Sequence, residues 1–188
     1  MPTEKRAMRF LDKKEYVSAK ELTVVCFGND DGFFDGYYAP KGIISSGRIA
    51  VMEENGRIVS MIHLLPLTAE AESGEEKNVT YLLCVATAPD CRHRGYMAEL
   101  MRFVTDTLKA EGEPWTFLVA VDKAIYRGCG FTIDWEFDPR DAELLCADEG
   151  LTECSTKLLN ETVFRKPKKL MLREKSEGTE TKEETEND

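Results

Sequence analysis

The stretch that most constrains this chain is "RIAVMEENGRIVSMIHLL", Arg48 to Leu65, where two β-rich runs are joined by Asn55-Gly56. An Asn-Gly pair supplies the two positive φ angles of a tight type I′ turn, so the stretch predicts an antiparallel hairpin. Both faces of its strands are largely apolar. A sheet with one wet face would alternate, so these strands belong inside a sheet covered on both sides.

What flanks the hairpin says how it is covered. Tyr16, Ala19, Leu22 and Cys26 recur at three- and four-residue spacing between Lys13 and Phe27, one helical stripe that Gly28 and Asn29 end. "VTYLLCVATAP" reads as a strand, and beyond it Met97, Leu100, Met101, Val104 and Leu108 form the apolar face of a helix closed by Gly112 and Pro114. "PWTFLVAV" returns to strand, Asp122 can cap a short helix "KAIYRG", and "FTIDWEF" is a further strand. Helix, hairpin, strand, helix, strand, helix, strand describes an α/β or α+β sheet with helices on its faces. "DDGFFDGYYAPKG" is expected to be a helical turn or loop, and "TAEAESGEEKN" after Pro66 an exposed loop. "FRKPKKLMLR" reads as a final strand or an exposed basic run.

At 188 residues this is one domain, over 1–174, with a charged tail free of aromatics at 175–188 that is expected to be disordered. With 35 acidic against 25 basic residues and a formal charge of −10, a general nucleic-acid binder is excluded, because neutralising phosphates needs a basic face. The sequence holds no apolar run of membrane-spanning length and "MPTEKRAMRF" has no signal-peptide core, so the expected location is the cytoplasm. None of the six cysteines forms a C-x-x-C pair. Cys84, inside "YLLCVA", reads as a reduced core residue.

Against that acidic background "DCRHRGYM", Asp90 to Met97, stands out. It lies where a strand passes through a short loop into a helix start, whose free N–H groups and dipole favour an anion. Arg92 and Arg94 add charge and Gly95 permits close approach. A metal site would have only Cys91 and His93 nearby, and a merely solvated arginine cluster would oppose the helix dipole. The chain has neither the G-x-x-x-x-G-K-[ST] of a P-loop nor a strand-linked G-x-G-x-x-G.

The cluster resembles the pyrophosphate loop of the GNAT family of acetyl-CoA-dependent N-acetyltransferases, in which V-x-P is followed by [RQ]-x-x-G-x-[GA] opening a helix. Val85 to Pro89 supply the strand end, and Arg92-His93-Arg94-Gly95-Tyr96-Met97 fit all positions but the last, where Met97 replaces Gly or Ala. Tyr126-Arg127-Gly128-Cys129-Gly130-Phe131 matches the family's Y-x-x-x-G-F pattern. The order of elements agrees over most of residues 5 to 137. Within the family, "FGNDDGFFDGYY", "IHLLP" and "TFLVAVDKAIYRGCGF" look most like the N-terminal acetyltransferase domain of the Eis-like group. Proteins of that group carry two further domains for which this chain has no room.

The resemblance implies an α/β (α+β) GNAT fold, a central mixed, mostly antiparallel sheet flanked by helices on both faces. It implies acetyl-CoA as co-substrate, no metal, and direct attack of a primary amine on the thioester. Val85, Ala86 and Thr87 would pair with the pantetheine arm and polarise the carbonyl; Arg92, His93, Arg94, Gly95, Tyr96 and Met97 would hold the pyrophosphate. Tyr126 would be the general acid for the departing thiolate.

Three points stay open. His63 could titrate near neutrality as a base, or be a hydrogen-bonded packing residue of the sheet. Asp30, Asp31 and Asp35 with Phe33, Phe34, Tyr37 and Tyr38 could wall an acceptor site for a cationic small-molecule or peptide amine, or the aromatics could pack on the sheet. The chain could also be a non-catalytic acetyl-CoA sensor or an interaction protein. No nucleic-acid or membrane partner is expected, and homo-oligomerisation is left open.

Overall fold

Asn55 and Gly56 take φ values of 53° and 81°, the tight turn this pair favours, and the sheet grows outward from it. The computed structural model describes residues 5–28, 32–70, 76–120, 122–136, 153–158 and 171–174. Its strands are β1 (Arg6–Phe10), β2 (Arg48–Glu54), β3 (Arg57–Glu70), β4 (Glu76–Thr87), β5 (Trp115–Val119), β6 (Thr132–Glu136), β7 (Glu153–Leu158) and β8 (Met171–Glu174). They form one 8-stranded sheet in the order β1-β2-β3-β4-β5-β7-β6, with β8 paired to β3. Among the described residues only β4 and β5 run parallel; every other pairing is antiparallel.

A 3-10 turn at Lys13–Glu15 leads into α1 (Tyr16–Phe27), followed by α2 (Phe33–Tyr37), α3 (Tyr96–Ala110) and α4 (Lys123–Arg127). Alternation along β3 divides its side chains between two cores. Val59 and Met61 pack with Tyr16, Ala19 and Leu22 of α1 and Tyr37 of α2. Ile62 and Leu64 pack with Leu100, Met101, Val104 and Leu108 of α3. The result is a mixed, mostly antiparallel sheet with helices on both faces, the α/β fold class that the sequence resemblance implied.

Several elements differ from expectation. β1 has no sequence signal: Arg6, Ala7 and Met8 are exposed, and the strand exists because it pairs with β2. Arg9 then ties this edge down, bonding Glu15 and Glu53 at 2.8 Å each. Of the polar segment expected as a loop after Pro66, 68–70 and 76–78 are strand, with Leu67↔Val79 through Glu70↔Glu76 in register and β8 on the opposite edge of β3; 71–75 lie outside the described residues. Backbone pairing extends the hairpin where side chains give no cue. Two open expectations resolve within their alternatives: the aromatic "FFDGY" is a helical turn, α2, and "MLRE" is a strand, β8. The tail expected to be disordered, 175–188, lies outside the described residues, as do Asp30 and Asp31.

Candidate functional site

β4 and β5 are in register for three residue pairs, Thr80↔Thr116 to Leu82↔Leu118, and then part. Just past that point β4 bulges. Met61 faces Ala86 but His63 faces Leu83, so Cys84 and Val85 together oppose Ile62, and Cys84 takes a φ of 47°. The extra residue turns Leu83 and Cys84 to the α1–α2 face and Val85 to the α3 face. Along Val85, Ala86 and Thr87 the β5 side of β4 has no strand partner among the described residues. The two strands thus leave a backbone-walled opening, a wedge, along this stretch of β4.

At the mouth of the wedge β4 runs into α3. The Pro89–Cys91 turn is followed by His93 at φ 62° and Gly95 at φ 81°. Gly95 is the N-cap, and it makes no side-chain capping bond, so the N–H groups that open α3 point outward uncapped. Arg92, His93 and Arg94 are exposed around them. Nearby acids are committed elsewhere. Arg57 grips Asp90 through two bonds of 2.6 and 3.0 Å, holding that carboxyl down at about 2. Glu54 accepts from the Tyr96 hydroxyl and lies 3.8 Å from Arg94. Arg92 donates to the Thr87 carbonyl at 3.2 Å and has no carboxylate partner among the described residues.

Two residues of the expected loop contribute differently from the rest. The Tyr96 ring is buried beneath the loop with Arg6 stacked over it at 5.6 Å, so only its backbone faces the anion position. Met97, in place of a smaller residue, turns its side chain onto the core beneath α3. Its bulk therefore does not obstruct the helix start.

The β5 junction is built in the opposite way. The Asp122 side chain accepts from the Ala124 N–H at 2.9 Å, capping α4. The helix it starts carries Tyr126, whose ring meets Phe131 edge-on at 6.2 Å and packs on the same core cluster as Val85 and Met97. Its hydroxyl has no hydrogen-bond partner among the described residues. Burial, aided by Cys129 and Asp122, raises its pKa above the ordinary 10.0, so Tyr126 is a phenol held protonated beside the wedge.

On the other face His63 is fully buried. Its Nδ1 lies 2.8 Å from the Tyr37 hydroxyl and its Nε2 3.0 Å from that of Tyr38, and desolvation lowers its pKa to about 3. Its burial between the two hydroxyls and its lowered pKa favour the reading of His63 as a hydrogen-bonded residue of the sheet over that of a base. The acidic-aromatic wall divides likewise. Tyr37 and Tyr38 are buried on the sheet, Phe33 is exposed, and Asp35 is ion-paired with Lys20. The sequence signal that was missed is the Tyr-Tyr pair as the partner of the lone sheet histidine.

Among the described residues no three His, Cys, Asp or Glu side chains converge as a metal site, and no helix is long and apolar enough to cross a membrane.

Comparison with known proteins bears on what the wedge holds. The family model described as "Acetyltransferase (GNAT) domain" matches residues 7–133. No curated protein sequence matches significantly. Among solved structures, the GNAT family N-acetyltransferase YhbS from Escherichia coli in complex with CoA superposes with a TM-score of 0.63 at 13% identity, over 85% of this chain and 84% of that one. A GNAT family acetyltransferase from Brucella melitensis in complex with acetyl-CoA gives 0.55 at 21% identity, over 68% and 83%. Eis1 from Mycobacterium abscessus gives 0.58 at 17% identity, over 68% of this chain and 31% of that one. The chain spans about a third of the length of several such neighbours. At these identities the likeness is one of fold.

Proposed function

Because this chain belongs to the GNAT acetyltransferase family, we propose that it transfers the acetyl group of acetyl-CoA to a primary amine by direct attack, with Tyr126 as general acid. The observation that carries this reading is the uncapped, arginine-flanked start of α3 at the mouth of the β4–β5 wedge. One arm of an acetyl-CoA molecule can pair as a short strand along Val85 to Thr87 while its pyrophosphate meets the N–H groups of Gly95, Tyr96 and Met97. Arg92 supplies the counter-charge, and Arg94, His93 and the rest of the loop shape the cradle.

The amine nitrogen attacks the thioester carbonyl carbon, whose oxygen is polarised by N–H groups of β4. The C–S bond breaks, the thiolate takes the Tyr126 proton, and the amine gives its own proton to water. Tyr126 packs on the α3 face, so the amine approaches from the α1–α2 face, past the exposed Phe33. Asp35 is ion-paired with Lys20, and a cationic acceptor would be recognised by the acidic-aromatic stretch to which it belongs. Within the family we place the chain beside the Eis-like group on its "TFLVAVDKAIYRGCGF" stretch, and in the cytoplasm.

The test is thiol release from acetyl-CoA across a panel of polyamines, aminoglycosides, amino acids and peptides. Release dependent on at least one amine supports the enzyme. Acetyl-CoA binding with no release from any amine would make the chain a sensor.

A further inference from the structure

The buried polar side chains on the α1–α2 face form one connected chain. Thr23 Oγ1 reaches the Ala19 carbonyl at 3.1 Å and Met61 Sδ at 3.8 Å, and lies 2.5 Å from the Tyr38 hydroxyl. The Tyr38 hydroxyl meets His63 Nε2 at 3.0 Å, and His63 Nδ1 meets the Tyr37 hydroxyl at 2.8 Å. A neutral imidazole has one donor and one acceptor nitrogen in either tautomer, so it holds both hydroxyls at once and is a two-sided clamp rather than a titrating centre.

The position of the clamp matters as much as its chemistry. Tyr37 is the last residue of α2 and Tyr38 its C-cap, so both hydroxyls that His63 holds belong to the end of one short helix. Five residues of helix have little stability of their own. His63 itself lies cross-strand from Leu83, one residue before the bulge and next to the point where β4 and β5 part. An apolar residue there would pack without the cost of burying an imidazole. The polar clamp instead sets where α2 sits relative to the bulge.

We infer that His63 is a positioning residue for the acceptor: by clamping Tyr37 and Tyr38 it fixes α2 at the distance from the β4 bulge at which the incoming amine is aligned. This rests on the acetyl-transfer reading above. Misalignment of a bound nucleophile by about 1 Å costs up to about 100-fold, so the effect belongs to the amine and not to acetyl-CoA.

The experiment compares His63→Leu, His63→Gln, Tyr37→Phe and Tyr38→Phe in steady-state thiol release, using the best amine of the panel. His63→Leu is expected to raise the amine KM or lower kcat by about tenfold or more, with the acetyl-CoA Kd within twofold of the unsubstituted protein. Gln carries both a donor and an acceptor for the two hydroxyls, so His63→Gln is expected to recover most of the loss. The pH profile should not move in any variant. If His63→Leu does not fold, the two Tyr→Phe variants, each lacking one clamp bond, carry the same expectation at smaller size. Variants that lose thermal stability while the folded fraction keeps its amine kinetics would overturn the inference alone. An unsubstituted chain that acetylates no amine would overturn the acetyl-transfer reading, and this one with it.

Discussion

β4 and β5 are parallel neighbours, and each passes through a turn into a helix, yet the two junctions are finished in opposite ways. At the first, a glycine N-cap leaves the opening N–H groups of α3 uncapped, with Arg92 beside them lacking an acidic partner among the described residues. At the second, the Asp122 carboxylate accepts from an opening N–H group of α4, that of Ala124. A helix start can be satisfied by the chain or by a ligand. In the function proposed above, the closed junction carries the acid Tyr126 and the open one the anion cradle, a division set by which residue precedes each helix.

The sharpest way to test that division is Tyr126→Phe. It should lower kcat by about 100-fold or more, within the usual range for loss of a general acid, while calorimetric acetyl-CoA affinity stays unchanged. The pH dependence has a definite sign. The acid works in its protonated form, and burial raises its pKa above 10.0, so Tyr126 causes no fall in kcat up to about pH 10. An alkaline limb near pH 8 that vanishes in Tyr126→Phe would break the assignment.

The next effect belongs to the open junction. Gly95 sits at φ 81°, and a Cβ there would meet nothing within 4 Å, so a side chain at this position brings backbone strain rather than a clash. Gly95→Val should weaken acetyl-CoA binding by about tenfold, in keeping with strain of about 1–3 kcal/mol, and leave kcat at saturation nearly intact. The smallest effect is at the closed junction. Asp122→Ala should cost about 1 kcal/mol of stability in thermal or denaturant unfolding, with the acetyl-CoA Kd unmoved. A variant at either junction that changed binding and chemistry together would erase the distinction.

The contrast is half visible in the sequence. "DCRHRGYM" and Asp122 can be read as an anion cradle and a cap because helix termini depend on the residues immediately before them. The Asn-Gly hairpin and the α3 stripe are legible for the same reason: their signals are local. β1, the bulge at Cys84 and the His63 clamp are not. The "RAMRF" strand is held by β2. The positive φ of Cys84 arises from a register set by β3, and the clamp joins residues 23, 37, 38 and 63, which only the fold brings together. Reading Tyr37 and Tyr38 as an acceptor wall looks outward, whereas their hydroxyls face inward.

The brevity of the β4–β5 pairing has a kinetic side. β2, β3 and β4 can assemble as a meander from neighbouring chain, but Thr80 meets Thr116 only after the α3 crossover is complete. That topology predicts that the wedge forms late in folding, and that a ligand gripping it engages only the finished molecule. Acetyl-CoA should slow unfolding while leaving the refolding rate unchanged in stopped-flow traces. On the proposed function, the lifetime of such a chain in a cell would follow the supply of acetyl-CoA.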